Sequence, residues 1–357
     1  MRWPWKRNSS LERLVFSWSG NTLTFVLVRP KPGGDFEVLQ FGVLPQDGEG
    51  TENIILRLQA LGLRGYSATA MLRPEQYQFL QVAAPAVPPE ELKAAARYQI
   101  REMLDMHIDD ITLDVLRVGD AQKKANPQLF VVAAANAVIK EILALSDAMN
   151  WQITVIDILE TAQRNLQLAK PDTETPKQRA QALLMLTSAT QAVLTITAND
   201  ELHYTRRLDL PAGFLDMEFG SGVDYLDEAN AAFTPVGEYV PGYATEDLAS
   251  TDYSAGGALP VAHAQGGDRA QRFLLEVQRT LDSWDRTWTE LPMAGLQVVA
   301  AERSQNLAAW LSQGLGQRVS VLDTKLLFTG LEKASPQEQM ACLPLLGVLL
   351  RTGDRLN

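Results

Sequence analysis

The feature that most constrains the fold of this chain is a pattern of three short strands joined by tight turns, which occurs twice, about half the chain apart. In the first copy, apolar or alternating stretches predict strands at Leu14–Ser19, Thr22–Arg29 and Phe36–Leu44. In the second copy, strands are predicted at Ala182–Leu186, Val193–Thr197 and Leu202–Leu208. Two similar meanders at this separation predict a structural duplication with two lobes.

Length and composition fit a folded chain with more than one core. At 357 residues the chain exceeds the size of one ordinary core, and 46% hydrophobic with 21% charged residues is near the average for globular proteins. The formal charge of -11 comes without a basic stripe or basic domain, which argues against nucleic acid as a partner. The single cysteine, Cys342, lies in an apolar run, so we expect no disulfide and a reducing compartment.

No segment of the sequence predicts a membrane span. The longest apolar stretch near the C-terminus, Met340–Leu350, is about half the length that a bilayer requires. Residues 1–10 are predicted to be a flexible tail with basic and aromatic side chains, and no apolar stretch follows them as in a signal peptide. Two interpretations of this tail stay open: contact with an anionic membrane surface, or docking of its aromatic side chains on the rest of the protein.

Residues 11–169 are predicted to form the first lobe, with an insertion at about 84–118. Two prolines at 88–89 followed by two glutamates are typical of a helix start. An apolar stripe follows this start, and then an alternating strand at Ile111–Val118. We expect the stripe to be buried; its members are Leu92, Ala96, Ile100, Met103 and Leu104. The charged stretch 170–178, which contains two prolines, is interpreted as the linker between the lobes.

Residues 179–357 are predicted to form the second lobe, which is interrupted by an acidic insertion at about 211–267. The stretch from Asp209 to Asp268 contains no lysine or arginine, whereas it has eleven aspartates and glutamates. Weak helical periodicity and concentrated negative charge predict a long mobile segment, either a solvated loop or an acidic docking segment. We expect an amphipathic helix at Arg269–Trp288 after it, and an apolar helix at Gln337–Leu350.

No motif for catalysis or metal binding accompanies these patterns. The three histidines, His107, His203 and His263, are far apart in sequence and lack the spacing of metal ligands. The GxSxG, HExxH, P-loop and GxGxxG motifs do not occur. From the residues alone, therefore, we predict no catalytic residue and no metal site.

Four segments give the chain a resemblance to the PilM and MshI proteins of type IV pilus assembly, which are similar to FtsA and actin. The segments are Pro89–Val115, Val155–Asn165, Phe273–Trp284 and Leu343–Arg351. They look like the family's segment running into an extra subdomain called 1C, its strand-to-helix turn, its helix beside the nucleotide and its closing helix. The resemblance implies an α/β actin-like fold of duplicated ribonuclease H-like lobes with an inserted 1C-type subdomain.

The chain departs from this resemblance where the actin-like fold handles Mg-ATP. Each lobe of that fold offers an Asp-x-Gly turn, whose glycine lets backbone N–H groups approach phosphate and whose aspartate positions Mg²⁺. The first such turn here is Trp18-Ser19-Gly20, and the second, Met185-Leu186-Thr187, has neither the acid nor the glycine. A third, glycine-rich turn falls at Ala300-Ala301-Glu302, without glycine. We therefore expect a degenerate ATPase that does not hydrolyse ATP and needs no cofactor.

Two alternatives to a protein without enzymatic activity stay open. The first is a switch that binds ATP with little or no hydrolysis, for which the resemblance retains Gly20, Glu276 and Arg279 as nucleotide-cleft residues. The second is an enzyme of the sugar-kinase branch of the same fold. That branch needs a catalytic aspartate where this chain has Met185, Thr187 and Ser188.

The resemblance implies a cytoplasmic scaffold at the inner face of the bacterial inner membrane. PilM-like proteins grip the tail of a membrane-bound partner, called PilN, or MshJ in the MSHA pilus system, and couple the assembly platform to the pilus motor. We expect the tail to lie as an extended peptide between the first lobe and the insertion. The candidate wall of that groove is Arg97, Tyr98 and Arg101, for which an ordinary solvated helix face is the alternative interpretation.

Overall fold

Three β-sheets organise the protein in a computed structural model that describes residues 12–32, 35–46, 48, 50–118, 127–169, 179–214, 217, 261–300, 303–322 and 328–351. The strands are β1 Arg13–Trp18, β2 Thr22–Pro30, β3 Phe36–Pro45, β4 Ser67–Leu72, β5 Tyr77–Ala83, β6 Ile111–Val118, β7 Gln128–Ala135, β8 Gln152–Ile158, β9 Ala180–Leu186, β10 Gln191–Ala198, β11 Glu201–Asp209, β12 Met293–Val299, β13 Val319–Val321 and β14 Phe328–Thr329. The α-helices are α1 Gly50–Ala60, α2 Leu92–Gln99, α3 Asn136–Met149, α4 Leu159–Ala169, α5 Val261–Thr287, α6 Ser304–Leu315 and α7 Pro336–Leu349.

The two large sheets repeat one topology, which confirms the predicted duplication. In the first sheet, ordered β14-β3-β2-β1-β4-β8, the meander β1–β2–β3 is antiparallel and β4 and β8 continue it in parallel. In the second, ordered β11-β10-β9-β12-β13, the meander β9–β10–β11 is antiparallel and β12 and β13 continue it in parallel. Both meanders lie within one or two residues of their predicted bounds.

The turns of the meanders use residues that tolerate positive φ. Gly20, with φ of 81°, closes the β1–β2 turn, while Asn199 and Asp200, with φ of 51° and 66°, form the β10–β11 turn. Positive φ at two central residues is typical of hairpin turns that match the twist of the strands. Helix α6 ends at a glycine in the left-handed region, Gly316.

Helices α4 and α7 pack between the two sheets and join their cores. One apolar cluster contains Val15 and Val26 of the first sheet, Leu183 and Val193 of the second, and side chains of both helices. Helix α7 is buried on all sides from residue 342 to residue 349, so it has no polar face. Its N-terminus is fixed by a capping box in which Ser335 and Glu338 satisfy each other's backbone N–H groups.

The outer faces of the large sheets are covered by separate pairs of helices. Helices α1 and α3 pack on the first sheet through Ile54, Leu58 and Ile142. Helices α5 and α6 pack on the second sheet through residues at the predicted helical spacing, which include Phe273 and Val277. The described chain is therefore layered as helices, sheet, the α4–α7 pair, sheet and helices.

A smaller three-stranded sheet, ordered β5-β7-β6, forms with α2 a subdomain that we call the insert, residues 77–118 and 127–135. Helix α2 covers one face of this sheet through Leu92, Ala96 and Ile100. The insertion that the sequence predicted, at about 84–118, contains only β6 of the three strands. The flanking strands also join the insert, because β7 pairs with β5 on one side and with β6 on the other.

The structure differs from the sequence predictions at several element ends. Met103 is 48% exposed and outside the predicted buried stripe, because α2 ends at Gln99 and a tighter turn follows. Helix α5 starts at Val261 and Phe214 is fully buried, so the acidic segment 211–267 is structured at both ends. Its residues 218–260, the tail 1–10 and the linker 170–178 lie outside the described residues. No helix in the described ranges is long and apolar enough to span a membrane.

The single cysteine lies in the joint core of the lobes. Cys342 of α7 is fully buried, and burial raises the pKa of its thiol to about 12. The thiolate is the reactive form of cysteine, so this thiol is chemically inert in the folded protein.

We predict that Gly347→Ala destabilises the protein by at least about 2 kcal/mol, because its methyl group would lie 2.2 Å from the carbonyl oxygen of Ala162 in α4. The matched control is Gly314→Ala in α6, whose methyl group meets only the flexible end of the Leu274 side chain, 2.5 Å away. Urea unfolding of both variants measures the difference. Equal free energies of unfolding would contradict the close α4–α7 contact.

Candidate functional site

A cleft of about 510 Å³ lies between the two lobes, beside α4 and α7. It is lined from the first lobe by the ends of β1, β2 and β4, and from the second lobe by the β9–β10 turn and the end of β11. Most of its polar side chains are neutral; the charged ones are Arg73, Glu75 and Asp209. In two-lobed α/β proteins, ligands commonly bind in such a cleft.

The predicted nucleotide residues do not meet in this cleft. Gly20, Glu276 and Arg279 are all absent from its lining. Gly20 lies in the β1–β2 turn with open space beside it, and Glu276 of α5 accepts a hydrogen bond from Nη2 of Arg206 at 3.4 Å on the outer side of the second sheet. Arg279 is exposed on the same helix. The structure therefore brings none of the three to the space between the lobes.

Trp18, at the aspartate position of the first turn, faces away from the cleft. Its side chain is 3% exposed and packs in the core under α1 and α3. Its neighbour Ser17 lines the cleft, because successive side chains of a strand point to opposite faces. Compared with the aspartate that the family resemblance implies at this position, Trp18 adds an apolar side chain to the core, and the first turn has no carboxylate there.

Two backbone N–H groups of each turn are bonded within the turn. In the first turn, the N–H of Ser19 donates to the carbonyl oxygen of Thr22 at 3.2 Å, and the N–H of Thr22 donates to Oγ of Ser19 at 3.3 Å. In the second turn, the N–H groups of Thr187 and Ser188 both donate to the carbonyl oxygen of Gln191, at 2.9 and 3.2 Å. These donors are not free to cradle a phosphate, as a phosphate loop requires.

Arg73, which the sequence analysis did not single out, places a positive charge at the first hairpin. Its Nε donates to Oγ of Ser17 at 3.3 Å, and its Nη2 donates to Oγ1 of Thr24 at 3.2 Å and to the carbonyl oxygen of Thr22 at 3.3 Å. Burial lowers the pKa of this guanidinium. Within the described chain it forms no ion pair, and no three His, Cys, Asp or Glu side chains there could hold a metal ion. At the first hairpin the cleft therefore presents a cation and no acid.

A second polar group, the Tyr77–Glu160–Arg207 cluster, connects the lobes next to the cleft. Glu160, in the first turn of α4, is fully buried and accepts hydrogen bonds from the hydroxyl of Tyr77 and from Nη2 of Arg207, the latter at 3.3 Å. Arg207 of β11 also donates to the carbonyl oxygen of Pro74 at 2.6 Å, and its guanidinium carbon lies 4.8 Å from the ring centre of Tyr77. Burial and the neighbouring carboxylate raise the pKa of Tyr77 well above its usual value.

The predicted partner residues lie on α2 (Arg97 and Tyr98) and in the tighter turn after it (Arg101), and they differ in their contacts. Arg97 is engaged, because its Nη2 donates to the carbonyl oxygen of Ile108 at 2.5 Å and to Oδ1 of Asp109 at 3.3 Å. Tyr98 is 81% exposed, and Arg101 is exposed with no hydrogen bond or ion pair to other described residues. Met106, missed in the sequence because no periodicity marks it, is also exposed, at 43%.

These exposed residues lie close to where the insert meets the first lobe. Asn136, at the start of α3, donates from Nδ2 to the carbonyl oxygen of Asp109 at 3.0 Å and accepts from the hydroxyl of Thr112 at 2.8 Å. Asp109 is in turn bonded to Arg97, the neighbour of Tyr98. The end of α2 is thus tied to the first lobe through a short chain of hydrogen bonds.

Comparisons with known proteins show the fold. No protein-family model and no curated protein sequence matches the chain. A chain of the PilM-PilN type IV pilus biogenesis complex superposes with a TM-score of 0.61 and 16% identity, over 95% of this chain and 98% of that one. The cytoplasmic domain of EpsL, from the type II secretion system of Vibrio cholerae, gives 0.38 and 14%, over 67% and 86%. A Bacteroides thetaiotaomicron protein with an actin-like ATPase fold gives 0.47 and 8%, over 96% and 97%.

The protein therefore has the α/β actin-like fold that the family resemblance implied. The superposition with the first of these structures extends over nearly the whole of both chains, so it includes the insert as well as the two lobes. At 16% identity this likeness establishes the architecture. The functions of the cleft and of the insert depend on the residues that this chain has there.

We predict that Arg207→Met lowers the free energy of unfolding by about 3 kcal/mol, because it leaves the carboxylate of Glu160 buried without its positive partner. The matched control is Lys93→Met, which removes one member of an ion pair whose side chains are 58% and 72% exposed and should cost less than about 1 kcal/mol. Urea unfolding measures both. Adding Glu160→Gln to Arg207→Met should recover part of the loss; no recovery would mean that the buried charge is not the cause.

Proposed function

We propose that this protein is a scaffold without enzymatic activity that binds the cytoplasmic tail of a PilN-like membrane protein at the inner face of the bacterial inner membrane. In this role it belongs to the assembly platform of a type IV pilus, with the MSHA system and its MshJ protein as the specific candidates. The observation that carries the proposal is the likeness to a chain of a PilM-PilN complex over 95% of the sequence. The exposed end of α2 supplies a surface for such a partner.

The chemistry of that surface suits a peptide. Tyr98, Met103 and Met106 expose 81%, 48% and 43% of their surfaces within nine residues of chain, and Arg101 lies among them. Aromatic residues, methionine and arginine are enriched in protein interfaces and at the positions that dominate binding energy. Arg97 has a different role in this proposal: its hydrogen bonds to residues 108 and 109 position the turn beside the surface.

The cleft supports the absence of enzymatic activity. Phosphoryl transfer needs Mg²⁺ ligands and free donors around the transferring group. The first turn has Trp18 buried in the core in place of an acid, and the backbone N–H groups of Ser19 and Thr22 are bonded within the turn. Arg73 favours the second candidate function, a switch that binds ATP without hydrolysis, because its guanidinium can attract an anion without a metal ion.

We predict that Tyr98→Ala weakens binding of a synthetic tail peptide of the PilN-like partner by about 30-fold, since truncation of a central aromatic residue commonly costs 2 kcal/mol or more. Arg101→Ala should weaken it by a smaller factor. Fluorescence anisotropy with a labelled peptide measures both, and Gln59→Ala on the exposed face of α1 is the control. Unchanged affinity in both variants would remove this surface from the proposal, and no binding by the wild-type protein would overturn the partner itself.

We predict that ATP binds with a dissociation constant above about 1 mM, that Mg²⁺ does not tighten binding, and that no phosphate is released. Isothermal titration with and without Mg²⁺, together with a phosphate-release assay, measures this. Tighter binding that is independent of Mg²⁺ and lost in Arg73→Ala would favour the switch. Turnover that depends on Mg²⁺ would contradict both candidate functions.

A further inference from the structure

The insert contacts the second lobe as well as the first, and the first of its two contacts is polar. Tyr77 is the first residue of β5, and its hydroxyl donates to Glu160 of α4. Arg207 of the second lobe donates to the same carboxylate and to the carbonyl oxygen of Pro74, just before β5. One buried carboxylate therefore holds a donor from the insert and a donor from the second lobe at the same time.

The second contact is apolar. Val118 of β6 and Phe130 of β7, each 1% exposed, pack with Leu202 of β11, which is 5% exposed. The indole of Trp288, just after α5, and the ring of Phe79 complete this cluster. The ring centres of Phe79 and Phe130 lie 4.8 Å apart. Separation of the insert from the second lobe would expose this apolar surface to water.

Both contacts reach the same face of β11, and a bulge makes this possible. Leu202 and Arg207 are five residues apart, which in a regular strand would place them on opposite faces. The pairing with β10 skips His203, so Leu202 lies opposite Thr197 and Arg207 lies opposite Val193, on one face. The two contact points are about 15 Å apart along the strand.

From this geometry we propose that the insert is a brace between the lobes, which holds them at their observed separation without a nucleotide in the cleft. Lobes joined only through the α4–α7 pair could rotate about that joint, whereas two further contacts about 15 Å apart on one strand oppose such a rotation. Rotation would also separate the guanidinium of Arg207 from the carboxylate of Glu160 and would expose the ring of Phe130 to water. The proposal concerns the lobes alone and does not require the PilN-like partner.

Distances between spin labels on the two lobes test the brace. The labels are placed at Gln59→Cys on α1 and Asn306→Cys on α6, two exposed positions, while the buried thiol of Cys342 stays unlabelled. For the otherwise wild-type protein we expect one narrow distance distribution by double electron–electron resonance. That distribution should be the same with and without millimolar Mg-ATP.

Weakening both contacts should release the lobes. Tyr77→Phe combined with Phe130→Ala is expected to broaden the distribution or to add a second, longer distance. The matched control is Leu113→Ala, which truncates a buried side chain of β6 under α2 and touches neither contact. It destabilises the insert by a comparable mechanism but should leave the distance unchanged.

Three results would overturn the proposal. They are two distances in the wild-type protein, a shift of its distance on addition of Mg-ATP, or an unchanged distance in the double variant. If the double variant does not fold, a milder double variant, Tyr77→Phe with Phe130→Leu, is made, and its amide hydrogen-exchange rates are compared with those of the wild-type protein. The amides of β5 and β11 should then exchange about tenfold faster while those of β1 and β9 keep their protection, and equal rates throughout would reject the brace.

Discussion

The close crossing of α4 and α7 is the contact on which both lobes depend. At Gly347 the two backbones approach so closely that no side chain fits between them, and the carbonyl oxygen of Gly347 accepts a hydrogen bond from Nδ2 of Asn165 at 3.1 Å. On the other side of α4, Nε2 of Gln163 donates hydrogen bonds to the carbonyl oxygens of Leu183 and Val193, at 2.7 and 3.0 Å. A helix with buried amide side chains therefore joins the second meander to the core of the first.

The cleft above this crossing differs in its side chains from the nucleotide site that the family resemblance implies. Where the resemblance implies an acid in the first turn, the chain has the buried indole of Trp18, and two backbone N–H groups of each turn are bonded within the turn. In the same cleft, the guanidinium of Arg73 donates hydrogen bonds to the hydroxyls of Ser17 and Thr24. A fold does not determine the chemistry of its cleft, which depends on the residues that line it.

The sequence predicted the repeated meanders, the amphipathic helix after the acidic segment and the apolar last helix, because these depend on local patterns. It did not place β5 and β7 in the insert, since pairing between distant strands leaves no local trace. The Tyr77–Glu160–Arg207 cluster was missed for the same reason: its members are 83 and 47 residues apart. Met103 was assigned to a buried stripe because the change from α-helix to a tighter turn after Gln99 is invisible in the apolar spacing.

The position of the last elements has a consequence for synthesis of the chain. Strand β14 pairs with β3, and α7 packs against β1, β2 and β3, so residues 328–349 complete the sheet that begins at Arg13. While it emerges from the ribosome, the N-terminal half of the nascent polypeptide can cover the inner face of its own sheet only with α4. The rest of that apolar face stays accessible to chaperones until nearly the whole chain has been translated.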